Sequence, residues 1–108
     1  MVKNKLAPFV AVYRGLLKDK EWRALSNSAK VTYLYLRSKF NKKTLSEVTL
    51  SYSEMNDLMA PGTLSKSLKE LQQAKFIKKT KHGGLMGGLC KYKFIGEYKD
   101  FVYKGFRV

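Results

Sequence analysis

The chain has little of several residue types on which common functions depend. Among its 108 residues are one cysteine, Cys90, and one histidine, His82, so an internal disulfide is excluded and a zinc site of Cys and His ligands is not expected. The eight acidic residues are scattered without the paired spacing of catalytic carboxylates. We therefore expect no enzyme, no cofactor and no small-molecule ligand.

Long apolar stretches are also missing. No run approaches the roughly 20 apolar residues of a membrane span, and the first residues do not follow the pattern of a signal peptide. We expect no membrane partner and a cytoplasmic location. With 44% hydrophobic residues, the chain has enough apolar side chains for one domain over residues 1–108, with residues 1–25 as an extension packed on it and residues 97–108 as a tail.

Positive charge is the largest compositional excess. Lys and Arg number 22 against 8 Asp and Glu, which gives a formal net charge of +14. Such a domain repels itself unless it meets a polyanion, so nucleic acid is the expected partner, ahead of a membrane surface or an acidic protein. Residues 60–96 hold eight lysines and a single acid, Glu70. A solvated lysine face that serves solubility is the alternative interpretation.

Two helical segments precede a basic hairpin. The S-x-x-E pattern of Ser51 and Glu54 predicts a helix start, and the short helix should end near residue 59. Pro61-Gly62 interrupts it, and residues 63–75 resume a helical pattern. The residues that should face inward on this second helix are Leu64, Leu68 and Leu71. Helices joined this tightly cross at a steep angle, as in a helix-turn-helix.

The hairpin is expected over residues 77–95. Its second strand alternates, with Cys90, Tyr92 and Phe94 on one face and Lys91 and Lys93 on the other. The glycine-rich tip covers residues 82–88, and a short β-prone run at 47–50 should pair with the hairpin. The predicted class is therefore α+β, a winged helix-turn-helix with three to four helices and a small antiparallel sheet.

A longer helix is expected upstream, over residues 26–40 with Ser26 as N-cap. Its apolar residues fall on two sides, one with Ala29, Tyr33, Leu36 and Phe40, the other with Val31, Leu34 and Tyr35. Residues 8–25 should cover the second side, with Trp22 packed there, and a dimer partner is the alternative cover. We favour a monomer in free solution, because the +14 charge opposes self-association. A weak or DNA-induced dimer is the alternative oligomeric state.

A set of residues spread along the chain indicates a family. It consists of Phe9-Val10, Tyr13, Leu16-Leu17, residues 21–26, Ala29-Lys30, residues 48–54, Thr63, residues 68–71 and Phe76-Ile77. This pattern resembles the winged helix-turn-helix proteins of bacterial phage and plasmid replication modules, over residues 9–95. The resemblance implies a replication initiator, a primosome component or a repressor. That family often has glycine before the Phe-Ile pair, where this chain has Lys75, so a differently shaped helix end is expected.

The candidate DNA contacts lie on the second helix and on the wing. On the helix they are Gly62, Thr63, Ser65, Lys66, Lys69 and Gln73. On the wing they are Lys78, Lys79, Lys81, Lys91 and Lys93. Because the helix positions include no arginine, we expect modest reading of bases and a large share of phosphate contacts to double-stranded DNA. A protein-interaction or assembly module without sequence-specific DNA binding is the alternative function.

Overall fold

Helices and a small sheet make up the part of the chain described by the computed structural model, residues 10, 12–39, 47–81 and 90–96. The elements are α1 (Arg14–Lys18), α2 (Lys20–Arg23), α3 (Asn27–Ser38), β1 (Val48–Leu50), a 3₁₀ helix (Ser53–Met55), α4 (Pro61–Gln73), β2 (Ile77–Lys81) and β3 (Cys90–Phe94). The expected α+β class with a small antiparallel sheet is confirmed. The predicted hairpin tip, the tail at 97–108 and Phe40 lie outside the described residues. Within them, no helix is long and apolar enough for a membrane crossing.

Side-chain caps begin two of the helices. Ser26 is the N-cap of α3, as predicted, because its Oγ accepts a hydrogen bond from the Ala29 N–H at 3.2 Å. Asp19 is the N-cap of α2. Its Oδ1 accepts hydrogen bonds from the N–H groups of Glu21 at 2.8 Å and Trp22 at 3.4 Å. The Asp19 cap lies at the turn between α1 and α2, and the Ser26 cap lies at the turn between α2 and α3.

The segment after β1 forms less helix than the S-x-x-E pattern predicts. Glu54 Oε2 accepts a hydrogen bond from the Ser51 N–H at 2.8 Å, but regular helix is limited to the 3₁₀ turn Ser53–Met55. The same carboxylate accepts from Lys39 Nζ at 2.8 Å and from the Tyr35 hydroxyl at 3.0 Å, both on the side of α3. The predicted helix is therefore correct in position and too long, because residues 56–58 form turns and do not continue the helix.

α4 begins two residues earlier than expected and ends in a left-handed turn. Pro61 occupies the first helical turn, where its missing N–H costs no hydrogen bond. At the other end Lys75 has φ 64°, its N–H donates to Gln72 O at 3.1 Å, and the Phe76 N–H donates to Leu71 O at 3.0 Å. These are the two bonds of a Schellman motif. The helix end therefore keeps the shape that glycine favours, although a lysine occupies the position.

The sheet has the strand order β1-β3-β2, and both pairs are antiparallel. The predicted pairing of the 47–50 run with the hairpin is confirmed, since Val48 lies opposite Tyr92 and Leu50 opposite Cys90. On the other side of β3, Ile77 lies opposite Phe94. Directly opposite residues point to the same face, so these apolar side chains form the inner face of the sheet.

One core joins the helices to the inner face of the sheet. From the amino-terminal segment it receives Leu16, Trp22 and Leu25. Trp22 packs edge-to-face on Tyr33, with ring centroids 5.3 Å apart, and on Phe76 at 6.0 Å. The prediction that Trp22 covers the Val31 side of α3 is thus wrong: Tyr33 lies on the other apolar side, and Val31 stays 41% exposed.

Candidate nucleic-acid interface

α4 separates its apolar and polar residues onto opposite sides. The three predicted leucines, Leu64, Leu68 and Leu71, are buried. The six candidate contact residues are all exposed: Gly62, Thr63, Ser65, Lys66, Lys69 and Gln73. We call these six the helix face. Its side chains are donors and cations of the kind that contact phosphates and base edges.

The single acid of α4, Glu70, is bound to the N-terminus of α3. Glu70 Oε2 accepts a hydrogen bond from the Ser26 N–H at 2.6 Å, and Oε1 accepts from the Ser26 hydroxyl at 2.8 Å. Two consequences follow. The negative charge of Glu70 is held beside the N-terminus of α3, where a helix dipole favours an anion, and the helix face itself contains no carboxylate.

The first turn of α4 is open. Its N-cap is Ala60, which offers no side-chain oxygen to the unpaired N–H groups of the turn. A Cβ added at Gly62 would meet no atom within 4 Å. Gly62 also has no positive φ; among the described residues the glycine with a positive φ is Gly96. Neither packing nor backbone conformation therefore requires glycine at position 62.

The outer face of the sheet collects lysines in cross-strand pairs. Lys78 lies directly opposite Lys93, and Lys81 lies directly opposite Lys91. We call these four residues the sheet lysine face. Lys78, Lys81 and Lys93 are exposed and Lys91 is half-buried. The Lys91 Nζ lies 3.9 Å from Oε1 of Glu47, and both of these side chains face solvent.

Lys79, predicted together with the other wing lysines, lies on the opposite side of the sheet. Its partner across the strands is Tyr92, which is buried on the inner face. The Lys79 Nζ is 5.9 Å from the centre of the Tyr92 ring, within the range of a cation–π contact. Burial raises the pKa of the Tyr92 hydroxyl, so the ring stays neutral beside the ammonium. Lys79 therefore lies beside the Tyr92 ring and does not extend the sheet lysine face.

An ion pair with Glu54 neutralises a further lysine, Lys39, because its Nζ lies within 2.9 Å of both carboxylate oxygens. Burial alone would raise the pKa of Glu54. The hydrogen bonds from Lys39, from the Ser51 N–H and from the Tyr35 hydroxyl outweigh that effect and lower the pKa below its ordinary value. This carboxylate joins α3 to the turn that leads into α4.

No family model, curated protein or solved structure matches this chain.

Two charged residues have roles that their local sequence did not indicate. Arg37 is buried in α3, where its Nε donates to the Tyr33 hydroxyl at 3.3 Å and its guanidinium carbon lies 4.2 Å from the Phe94 ring centre. Glu70 binds the N-cap residue of α3, Ser26, which lies 44 residues earlier in the chain. The position of Arg37 one turn after Tyr33 is the signal that could have suggested its contact with that tyrosine.

Proposed function

We propose that this protein is a winged helix-turn-helix protein that binds duplex DNA and serves in a phage or plasmid replication or control module. In this proposal α4 is the helix that enters the major groove, and the hairpin of β2 and β3 is the wing that contacts phosphates. The observation that carries it is the helix face, which exposes two lysines and three hydrogen-bonding side chains while the single acid of α4 is bound to Ser26.

The order of elements supports the winged helix. A long helix, α3, is followed by β1, a short helical turn, α4 and the hairpin, and β1 pairs with the far strand of that hairpin. The helix before α4 is reduced to the 3₁₀ turn Ser53–Met55. Core leucines and the Glu70 contact hold α4 against α3 at a steady angle, which a helix needs if its exposed side is to fit a groove.

The residue types favour affinity over discrimination. Lysine is a point charge on a flexible stem, whereas arginine forms the two-bond contact that selects guanine. Lys66 and Lys69 supply charge on the helix face, and Thr63, Ser65 and Gln73 supply hydrogen bonds. We expect phosphate contacts to provide most of the binding free energy, with sequence preference arising near the start of α4.

A protein-interaction module is the second candidate function. Leu17 and Leu58 are both more than half exposed, and such side chains could meet another protein. The two functions differ in what the lysines do, since an assembly module uses them for solubility or for an acidic partner. Binding to random duplex DNA that weakens steeply with salt would support the DNA-binding function over this one.

A mobility-shift series that compares duplex DNA, single-stranded DNA and RNA tests the proposal. We expect the tightest binding to duplex DNA. Lys66→Ala and Ser65→Ala should change the preference among duplex sequences, whereas Lys81→Ala and Lys91→Ala should weaken all duplexes about equally. If wing variants change the preference and helix variants have no effect, α4 is not the reading element. If no nucleic acid binds in low salt, the proposed function is wrong.

A further inference from the structure

The sheet lysine face concentrates positive charge more densely than the helix face. Two pairs of lysines, Lys78 with Lys93 and Lys81 with Lys91, lie directly opposite each other on neighbouring strands. Directly opposite residues have Cβ atoms about 5 Å apart. Lys91 and Lys93 are two residues apart on β3, so the pairs are separated by about 7 Å along the strand. Four lysine side chains therefore extend from a small area of the sheet.

A shift in strand register contributes one of the four lysines. Lys79 lies opposite Tyr92. Lys91, which precedes Tyr92 on the antiparallel strand β3, lies opposite Lys81 and not opposite Thr80. Strict alternation along β2 would place Thr80 on the outer face and Lys81 on the inner face. The extra residue moves Lys81 outward. Register irregularities of this kind re-aim side chains and occur often beside functional sites.

This arrangement costs stability in the isolated protein. Like charges directly opposite each other in a sheet destabilise it, and Glu47 reaches Lys91 only at 3.9 Å and in a solvent-exposed pair. Threonine is favoured in strands and would pair well at the same positions. A polyanion laid across the face would convert the repulsion into attraction, and the phosphate backbone of nucleic acid carries closely spaced negative charges.

The sheet lysine face and the helix face point away from a shared core. Leu64 and Leu68 of α4 and Ile77 and Tyr92 of the sheet all belong to that core. A domain built from a helical layer and a sheet around one core exposes the outer side of each layer in a different direction. A straight duplex that lies along α4 therefore leaves the outer surface of the sheet available to another segment.

We propose that the sheet lysine face binds the phosphate backbone of a second duplex segment while the helix face holds the first, so that one protein molecule bridges two segments of DNA. This inference rests on the proposed DNA-binding function. The wing lysines then act as a separate site and not as an extension of the contact made by α4.

Two matched double variants test the bridging. Lys78→Thr with Lys93→Thr removes two charges from the sheet lysine face and replaces a repulsive pair by a strand-compatible one. Lys66→Gln with Lys69→Gln removes two charges from the helix face. Glutamine is a good helix former, so α4 should be preserved. The probe is a duplex of about 12 base pairs, slightly more than one turn, prepared in two pools that carry donor or acceptor fluorophores. Energy transfer is measured in low salt with DNA in excess.

We expect energy transfer with the full-length protein, and its loss with each double variant although each still binds labelled duplex. Binding of the unaltered protein without transfer would overturn the bridging and leave the proposed function intact. Transfer that persists with both variants would reflect association between protein chains and would also overturn it. Absence of any binding would refute the proposed function itself.

Thermal unfolding in low salt gives an independent readout of the repulsion among the lysines. The Lys78→Thr, Lys93→Thr double variant should have a higher melting temperature than the unaltered protein. A decrease in melting temperature would contradict the repulsion on which the inference depends.

Discussion

The carboxylate of Glu70 completes the N-terminal cap of α3 from a different helix. Ser26 caps its own helix through the Ala29 N–H, and the Ser26 N–H and hydroxyl both donate to Glu70, at 2.6 and 2.8 Å. In a capping box a glutamate three residues after the cap would accept that N–H; here Ala29 occupies the position, and α4 supplies the carboxylate. The start of α3 and the C-terminal half of α4 are thereby linked to each other.

Glu70→Ala should lower the free energy of unfolding by about 1–2 kcal/mol, because two charge-assisted hydrogen bonds and the link between helices are lost. Urea unfolding measures this effect, with the exposed Gln73→Ala on the same helix as the control. A double-mutant cycle with Ser26→Ala should show coupling, since the two side chains share a bond. Additive effects of the two substitutions would contradict the contact.

Lys75→Gly should stabilise the protein by about 1 kcal/mol. Lys75 has φ 64°, a conformation that is strained for every residue with a Cβ and relaxed for glycine. Lys75→Ala is the matched control, because it removes the same charge and keeps the Cβ. Urea midpoints should rise for the glycine variant alone. An equal gain with alanine would assign the effect to charge instead of backbone strain.

Trp22→Ala should cost about 3–5 kcal/mol, the range for truncation of a large buried aromatic side chain. Trp22 contacts Tyr33 and Phe76 edge-to-face, and its loss leaves a cavity between α2, α3 and the start of β2. Thermal unfolding provides the measurement. Leu17→Ala serves as the control, since Leu17 is 53% exposed and its truncation should change the melting temperature little.

Acid should remove the stabilising effect of Glu54. Its pKa is lower in the folded protein than the ordinary value of about 4.3. Stability from this group is therefore present above that ordinary value and is lost as pH falls through the lowered folded pKa. Glu54→Gln should be less stable than the parent protein at neutral pH, and the difference should narrow on acidification. Urea unfolding series of both proteins at several pH values measure this difference.

The salt dependence of DNA binding should be steep. If about six lysines of the helix and wing each neutralise a phosphate of one duplex, log K plotted against log salt should have a slope near −5, whereas bridging divides these contacts between two duplexes and gives each a slope of about −4 or shallower. Single removal of Lys78, Lys81 or Lys93 should reduce the slope by about 1. Lys79→Ala should change it less, because Lys79 lies over the Tyr92 ring on the other side of the sheet. A parent slope shallower than about −2 would contradict an extensive basic contact surface.

Periodic patterns in the sequence predicted the parts of the fold that depend on burial. The leucine spacing of α4 identified its inner side, and the alternation of Tyr92 and Phe94 with lysines identified the faces of β3, because each pattern has the period of its own element. The capping serine of α3 was also found, since its bond to Ala29 spans only three residues.

Periodic patterns could not predict contacts between residues that lie far apart in the sequence. The Glu70 bond to Ser26 depends on how two helices pack, and nothing within either helix specifies its partner. The register shift that turns Lys81 outward depends on hydrogen bonding between two strands, whereas strict alternation along β2 would place Lys81 on the inner face together with Lys79. The left-handed end of α4 was not predicted, because glycine usually marks such a helix end and this chain has Lys75 there.

The central position of β3 has a consequence for synthesis of the chain. β1 and β2 do not pair with each other, and both use β3, which is translated after them, as their hydrogen-bonding partner. While the ribosome is producing residues before Cys90, the apolar side chains of Val48, Leu50 and Ile77 have no strand to complete their sheet. Nascent chains expose such edges to chaperones and proteases. The three-stranded sheet therefore cannot form before Cys90–Phe94 is available to pair with β1 and β2.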